Sequence, residues 1–139
     1  MFAATLALLT FTAAPVPKNL PKAPPTPEGE WKMVELVSGG MPGDAKYIGA
    51  AVTFKDGKFT VVAGQAIEIF PFTFDAKATP AAMDISYGDD ARGLGVKAIY
   101  KLENDKLTIC FAKVGDRPTK FESPLNSVND LFVLERVKK

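Results

Sequence analysis

The stretch from Val96 to Ala112, VKAIYKLENDKLTICFA, predicts a β-hairpin and decides the fold class of this chain. Two alternating runs flank Asn104-Asp105, which has the length of a tight hairpin turn. Counting outward from this turn pairs the residues of one face across an antiparallel ladder: Leu102 with Leu107, Tyr100 with Ile109 and Ala98 with Phe111. The opposite face is mostly polar, with Ile99 and Cys110 as its apolar members. One face is therefore expected in a core and the other mostly in water, as in a half-buried antiparallel sheet.

The chain after residue 28 repeats this pattern without any sustained helical periodicity. Asp56-Gly57 predicts a second tight hairpin, which pairs Phe54 with Phe59 and Val52 with Val61. The predicted strands are 31–37, 50–55, 58–63, 66–74, 83–87, 96–103, 106–112, 119–122 and 131–137. This all-β pattern of eight or nine short strands favours a single antiparallel sheet that closes into a barrel of about eight strands, because closure removes unpaired edges. A two-sheet β-sandwich is the alternative.

The N-terminal residues predict export of the protein. Residues 1–14 are apolar and uncharged and end in small residues, as in a secretory signal peptide, although no Lys or Arg precedes them and Pro15 follows them. A retained anchor is the alternative. Residues 15–27 are proline-rich and fit an extended linker, which leaves residues 28–139 as the folded domain. The expected location is periplasmic, cell-envelope or extracellular, with no transmembrane span in the mature chain.

Composition argues against several classes of function. The 17 Lys and Arg and 16 Asp and Glu nearly cancel and form no long block, which disfavours nucleic-acid binding and electrostatic membrane binding. Histidine is absent, which removes the usual general base, the commonest metal ligand and every histidine-dependent triad. A single cysteine, Cys110, leaves no intrachain disulfide, so packing must supply the stability.

No arrangement of residues predicts catalysis, a cofactor or a metal. Asp89-Asp90, with Asp84 nearby, is the only local acidic group, and its flanking glycines favour a solvated turn over acid–base chemistry or calcium binding. Cys110 lies in a predicted strand with no histidine to activate it, which favours a buried thiol. We therefore expect that the protein is not an enzyme.

Aromatic residues supply the candidate ligand site. Their alternation on predicted strands suggests an apolar pocket lined by Phe70, Phe72, Phe74, Tyr100, Phe111 and Phe121. The same rings would also suffice to fill the barrel. Arg117, in a turn, is a candidate clamp for an anionic ligand group; the alternative is that it caps carbonyls or pairs with Asp116.

A set of landmarks in a fixed order resembles the planctomycetal lipocalin-like family of small, mostly exported bacterial domains. The landmarks are Gly29-Glu30-Trp31, FKDGKF at 54–59, Pro80 with MDI at 83–85, IYKLE at 99–103 with LTIC at 107–110, RPTKF at 117–121 and LER at 134–136. The resemblance spans the chain after the linker and implies a lipocalin-like barrel. It brings no catalytic residues, and the chain departs from it in the aromatic run 66–74.

The resemblance also implies a structural role for three residues. In lipocalin-like barrels a Gly-x-Trp opening pairs with a late arginine that packs over the indole and closes one end. Gly29, Trp31 and Arg136 match by position. A guanidinium can stack on an indole while its donors remain free for carbonyls, so this group is expected to stabilise the barrel.

Two functions follow as expectations. The first is a secreted or envelope lipocalin-like domain that binds a small apolar or amphipathic ligand inside the barrel. The second is a filled barrel that acts as a protein–protein interaction or inhibitor module. An internal cavity of ligand size would favour the first, and a packed interior with an exposed apolar patch would favour the second.

Overall fold

The computed structural model describes residues 26–86 and 95–138, and within them the chain forms antiparallel strands. A 3₁₀ turn at Ala45–Tyr47 is the only helical element of this part. No helix there is long and apolar enough to cross a membrane. The strands are β1 (Gly29–Ser38), β2 (Met41–Pro42), β3 (Ala51–Lys55), β4 (Lys58–Ala63), β5 (Ala66–Asp75), β6 (Ala81–Ser86), β7 (Gly95–Glu103), β8 (Lys106–Ala112) and β9 (Asn129–Arg136).

Strand β1 closes the sheet into a barrel. The strand order is β2-β1-β3-β4-β5-β6-β7-β8-β9, and β1 also pairs with β9 along most of its length. Eight strands, β1 and β3 to β9, therefore form a closed antiparallel barrel, and β2 is a short addition outside the ring. The predicted barrel is confirmed, and the two-sheet sandwich is excluded.

Both predicted hairpins have the predicted register. Across β7 and β8, Leu102 pairs with Leu107 and Tyr100 with Ile109. Across β3 and β4, Phe54 pairs with Phe59, as counted from the Asp56-Gly57 turn. Asn104 and Asp56 adopt positive φ angles of 57° and 51°, which asparagine and aspartate tolerate better than most residues. Local turn chemistry and alternation were sufficient to fix these pairings.

The prediction of a strand at 119–122 is wrong. Both edges of β8 are already paired, one with β7 and the other with β9, so no edge is free for another strand there. Residues 113–128, which we call the outer segment, instead cross the outside of the barrel. The Glu122 carbonyl accepts hydrogen bonds from the Cys110 thiol and from the side-chain Nδ2 of Asn129, each at 3.4 Å.

The outer segment also corrects the expectation that the outer face of the β7–β8 hairpin is mostly wet. Ile99, Thr108 and Cys110 all point outward from the barrel, yet all three are buried. The Lys101 ammonium lies 4.9 Å from the centre of the Phe121 ring on the same side. The hairpin therefore packs on both faces, because a long connection folds back over it.

The barrel has two different ends. At the closed end lie the Asp56-Gly57 and Asn104-Asp105 turns, and the Arg136 amide donates to the Asp105 carbonyl at 2.8 Å. At the open end β1 finishes at Ser38 beside the start of β9. Pro27, assigned to the linker above, is buried at the closed end, and its carbonyl accepts the Trp31 indole N–H at 2.8 Å. The folded part of the chain thus includes Pro27.

Candidate functional site

A cavity of about 320 Å³ occupies the half of the barrel nearest the open end, which we call the open half. Strands β1, β4 to β9 and the loop after β2 all contribute to its wall. Its lining is mostly apolar, with polar groups from Ser38, Asp44, Tyr47, Glu68 and Asp130. The apolar lining residues are Met33, Leu36, Phe59, Val61, Phe70, Ile85, Val96, Phe111 and Phe132, with Gly43.

The other half of the barrel, the closed half, is filled by aromatic rings. Phe54 stacks on Phe59 with ring centres 4.8 Å apart and meets the edge of Phe72 at 5.0 Å. Phe74 packs against Tyr100 at 6.4 Å, and Trp31 is fully buried nearby. The closed half thus has the filled interior, and the open half has the cavity.

A β-bulge at Val34 decides which residues of β1 face the cavity. Against β9, Met33 pairs with Leu134 but Glu35 pairs with Val133, so Val34 is an extra residue. Inward-facing positions are odd before the bulge and even after it. Leu36 and Ser38 therefore line the cavity, whereas uninterrupted alternation from Trp31 and Met33 would have placed Glu35 there.

Two carboxylates inside the mouth are held by hydroxyl groups. The Tyr47 hydroxyl donates to Glu68 Oε1 at 3.0 Å, and the Ser38 hydroxyl donates to Asp130 Oδ1 at 2.7 Å. The Lys113 ammonium lies 3.4 Å from the same Asp130 oxygen. The hydrogen bond to the Glu68 carboxylate, with burial, raises the pKa of Tyr47. A tyrosine is already protonated at neutral pH at its ordinary pKa of 10.0, and the upward shift favours the donor form further.

Phe70 and Phe111 line the cavity, as the alternation suggested. Phe72, Phe74 and Tyr100 also face inward, but they lie in the closed half and are not part of its wall. These three positions are nearer the closed-end turns on β5 and β7, where the rings pack on one another. Burial, together with the charge of Asp75, raises the pKa of Tyr100 to about 12.

Arg117 does not reach the mouth of the barrel, so its assignment as a ligand clamp is corrected. It lies on the outer segment, and its Nη1 donates to the carbonyls of Met83 and Ala98 at 3.0 and 2.8 Å. Its Nη2 is 2.7 Å from Asp84 Oδ1. The alternative of carbonyl capping therefore describes Arg117, with Asp84 as its charged partner.

Gly29, Trp31 and Arg136 meet at the closed end. The Arg136 guanidinium carbon lies 4.2 Å from the centre of the Trp31 ring. Gly29 has a φ of +132°, and a Cβ built there would lie 2.7 Å from Arg136 Nη1. The group lies at the opposite end from the cavity mouth and is not part of its lining.

Sequence reasoning missed the polar residues of the mouth, although a signal was present for two of them. Glu68 precedes Phe70, Phe72 and Phe74 on the same face of β5, and Asp130 shares the face of Phe132 on β9. A carboxylate on an otherwise apolar face is unusual, because charged side chains do not pack into a core without partners. No comparable local pattern marks Tyr47 or Ser38.

The remaining chemical candidates gain no support as sites. Asp89 and Asp90 lie outside the described residues. Among the residues that the structure describes, no group of three or more His, Cys, Asp and Glu side chains is placed to hold a metal ion. Burial raises the pKa of the Cys110 thiol, which disfavours the reactive thiolate.

No family model, curated protein or solved structure matches this chain. The function is therefore argued from the cavity and its lining.

Proposed function

We propose that this protein is an exported, lipocalin-like carrier that binds one small amphipathic molecule in the open half of its barrel. The observation that supports this proposal is the cavity, since its 320 Å³ lies within the range of ligand pockets. Its apolar wall fits a hydrocarbon portion, and the polar groups of Tyr47, Glu68 and Asp130 at its mouth fit a polar end. We also propose that this chain belongs to the planctomycetal lipocalin-like family.

Binding of such a ligand needs little reorganisation of the protein. The strands of the cavity wall are fixed at their other ends in the packed closed half. We therefore expect the cavity to have its shape before a ligand binds. A preformed site avoids the entropic cost of ordering side chains on binding. Apolar burial then supplies the affinity, at about 25 cal/mol for each Å² removed from water.

Native mass spectrometry tests this proposal directly. The full chain is expressed in an exporting bacterium, purified gently from the cell envelope and sprayed under conditions that keep it folded. We expect a reproducible small added mass that disappears on denaturation. A bare mass from folded protein in every preparation, with no uptake of added alkyl amphiphiles, would overturn the proposal.

A second candidate function is protein binding on the outside of the barrel. Its basis is a pair of outward-facing isoleucines on β5, Ile67 and Ile69, which are 64% and 58% exposed. The cavity argues against the fully filled interior from which this alternative began. Photo-crosslinking from position 67 in the envelope, with the exposed position 32 on β1 as the control, tests for a specific partner. A discrete adduct from position 67 alone would support it.

A further inference from the structure

The sign of the charge at the cavity mouth limits what the bound molecule can be. Three carboxylates line the cavity, from Asp44, Glu68 and Asp130, and no lysine or arginine is among the described residues of its wall. The three acids come from separate segments of the chain and are not grouped as metal ligands. They stand around an apolar cavity of ligand size, and that cavity is what makes their charge relevant to binding.

Two of these carboxylates already have a cation nearby. The Lys46 ammonium is 3.8 Å from Asp44, and the Lys113 ammonium is 3.4 Å from Asp130. Both lysine side chains are about half exposed or more, at 59% and 49%. Within the described part of the chain, the hydrogen-bond partner of Glu68 is the neutral Tyr47 hydroxyl, and no ion pair joins Glu68 to a described lysine or arginine.

We infer that the polar end of the ligand is a cation, such as the ammonium group of an alkylamine, and that it pairs with Glu68. This inference rests on the proposed function. An ammonium placed between the Glu68 carboxylate and the mouth would complete its hydrogen bonding, and its alkyl chain would extend toward Phe111 and Phe132. A fatty acid would instead bring its carboxylate beside Glu68, and no described lysine or arginine pairs with Glu68 to offset the repulsion between the two negative charges.

A charge series on one alkyl chain tests the inference. Decylamine, decanol and decanoate, each below its micelle-forming concentration, are titrated at pH 7 into the folded protein by calorimetry. We expect decylamine to bind about tenfold more tightly than decanol, which corresponds to about 1.4 kcal/mol, and decanoate to bind most weakly. Decanoate binding as tightly as decylamine would overturn the inference and leave cavity binding intact. If none of the three binds, the proposed function fails as well.

Variants of one residue locate the effect. Glu68→Gln keeps the shape and an acceptor for Tyr47, so it is expected to lower decylamine affinity about tenfold and leave decanol unchanged. Glu68→Lys is expected to reverse the preference toward decanoate. Glu35→Gln, on the exposed outer face of β1, removes the same charge outside the cavity and is expected to change nothing. Unchanged decylamine affinity in a folded Glu68→Gln protein would overturn the inference.

Discussion

The guanidinium of Arg136 stacks on the indole of Trp31, with 4.2 Å from the guanidinium carbon to the ring centre. The two residues are partners across β1 and β9, the strands whose pairing closes the barrel. The Pro27 carbonyl accepts a hydrogen bond from the indole N–H. Gly29 leaves room for the guanidinium because it has no Cβ. One indole thus joins Pro27, which precedes β1, to the last strand, β9.

Replacing Trp31 by alanine is expected to destabilise the protein by about 3 to 5 kcal/mol, because it removes a fully buried aromatic side chain and the stacking partner of Arg136. Arg136→Lys, which keeps the charge but loses the flat stacking surface, is expected to cost about 1 kcal/mol. Urea unfolding measures both. Val137→Ala, at an exposed position one residue further on, is the control. A Trp31→Ala protein that melts within a couple of degrees of the wild type would contradict the closing role.

The cavity predicts that two paired valines respond differently to enlargement. Val61 and Val52 are partners across β3 and β4 and both face inward, but only Val61 lines the cavity. Val61→Phe is expected to fill open space, abolish amphiphile binding and keep the melting temperature near that of the wild type. Val52→Phe is expected to overpack the closed half and cost about 1 to 3 kcal/mol. Equal destabilisation by the two variants would indicate that no real space lies beside Val61.

The buried Tyr100 predicts a loss of stability at high pH. Its pKa rises from 10.0 to about 12 in the folded protein, first because burial disfavours the phenolate and then because Asp75 is negative. The unfolded chain therefore releases this proton near pH 10, while the folded protein holds it until about pH 12. Below pH 10 the Tyr100 hydroxyl makes its full contribution to the free energy of unfolding. Between pH 10 and 12 that contribution falls by roughly 2 to 3 kcal/mol.

Denaturant unfolding at several pH values from 9 to 12 checks this prediction, with Tyr100→Phe as the matched variant. The variant lacks the ionisable hydroxyl and is expected to have a shallower decline over the same interval. An identical slope in the two proteins would assign the alkaline instability to other groups.

Arg117 is expected to hold the outer segment over Cys110. Its three contacts, to the carbonyls of Met83 and Ala98 and to Asp84, fix this segment to β6 and β7. Arg117→Ala should weaken the folded state by about 2 kcal/mol, the scale of hydrogen bonds from a charged donor. It should also raise the rate at which iodoacetamide modifies Cys110 at least tenfold, because the thiol becomes accessible when the segment opens.

Lys120→Ala, an exposed position on the same segment, is the control for the cysteine modification and should leave the rate unchanged. Arg117→Lys should give an intermediate rate, since it keeps the charge opposite Asp84 but not the forked donors. A thiol equally protected in the alanine variant would mean that the other contacts of the segment hold it in place without Arg117.

Much of the fold followed from local sequence patterns. The register of both tight hairpins, including Tyr100 with Ile109 and Phe54 with Phe59, came from counting outward from two-residue turns. That works because side chains alternate strictly along a strand, and a slip by one residue would turn a whole apolar face toward water. The inward direction of Phe70 and Phe111, which line the cavity, followed from the same alternation.

The rest of the site depended on the tertiary structure. Because of the bulge at Val34, Leu36 and Ser38 face the cavity. No local pattern in the sequence of β1 predicts this bulge. Strands β7 and β9 occupy both edges of β8, so the outer segment crosses the outside of the barrel over Cys110, and Arg117 lies on that segment away from the mouth. Alternation along a strand says which side a residue faces, but depth along the barrel axis depends on how all eight strands stagger around the ring. That stagger packed Phe72, Phe74 and Tyr100 in the closed half and left the other half open beside Glu68 and Asp130.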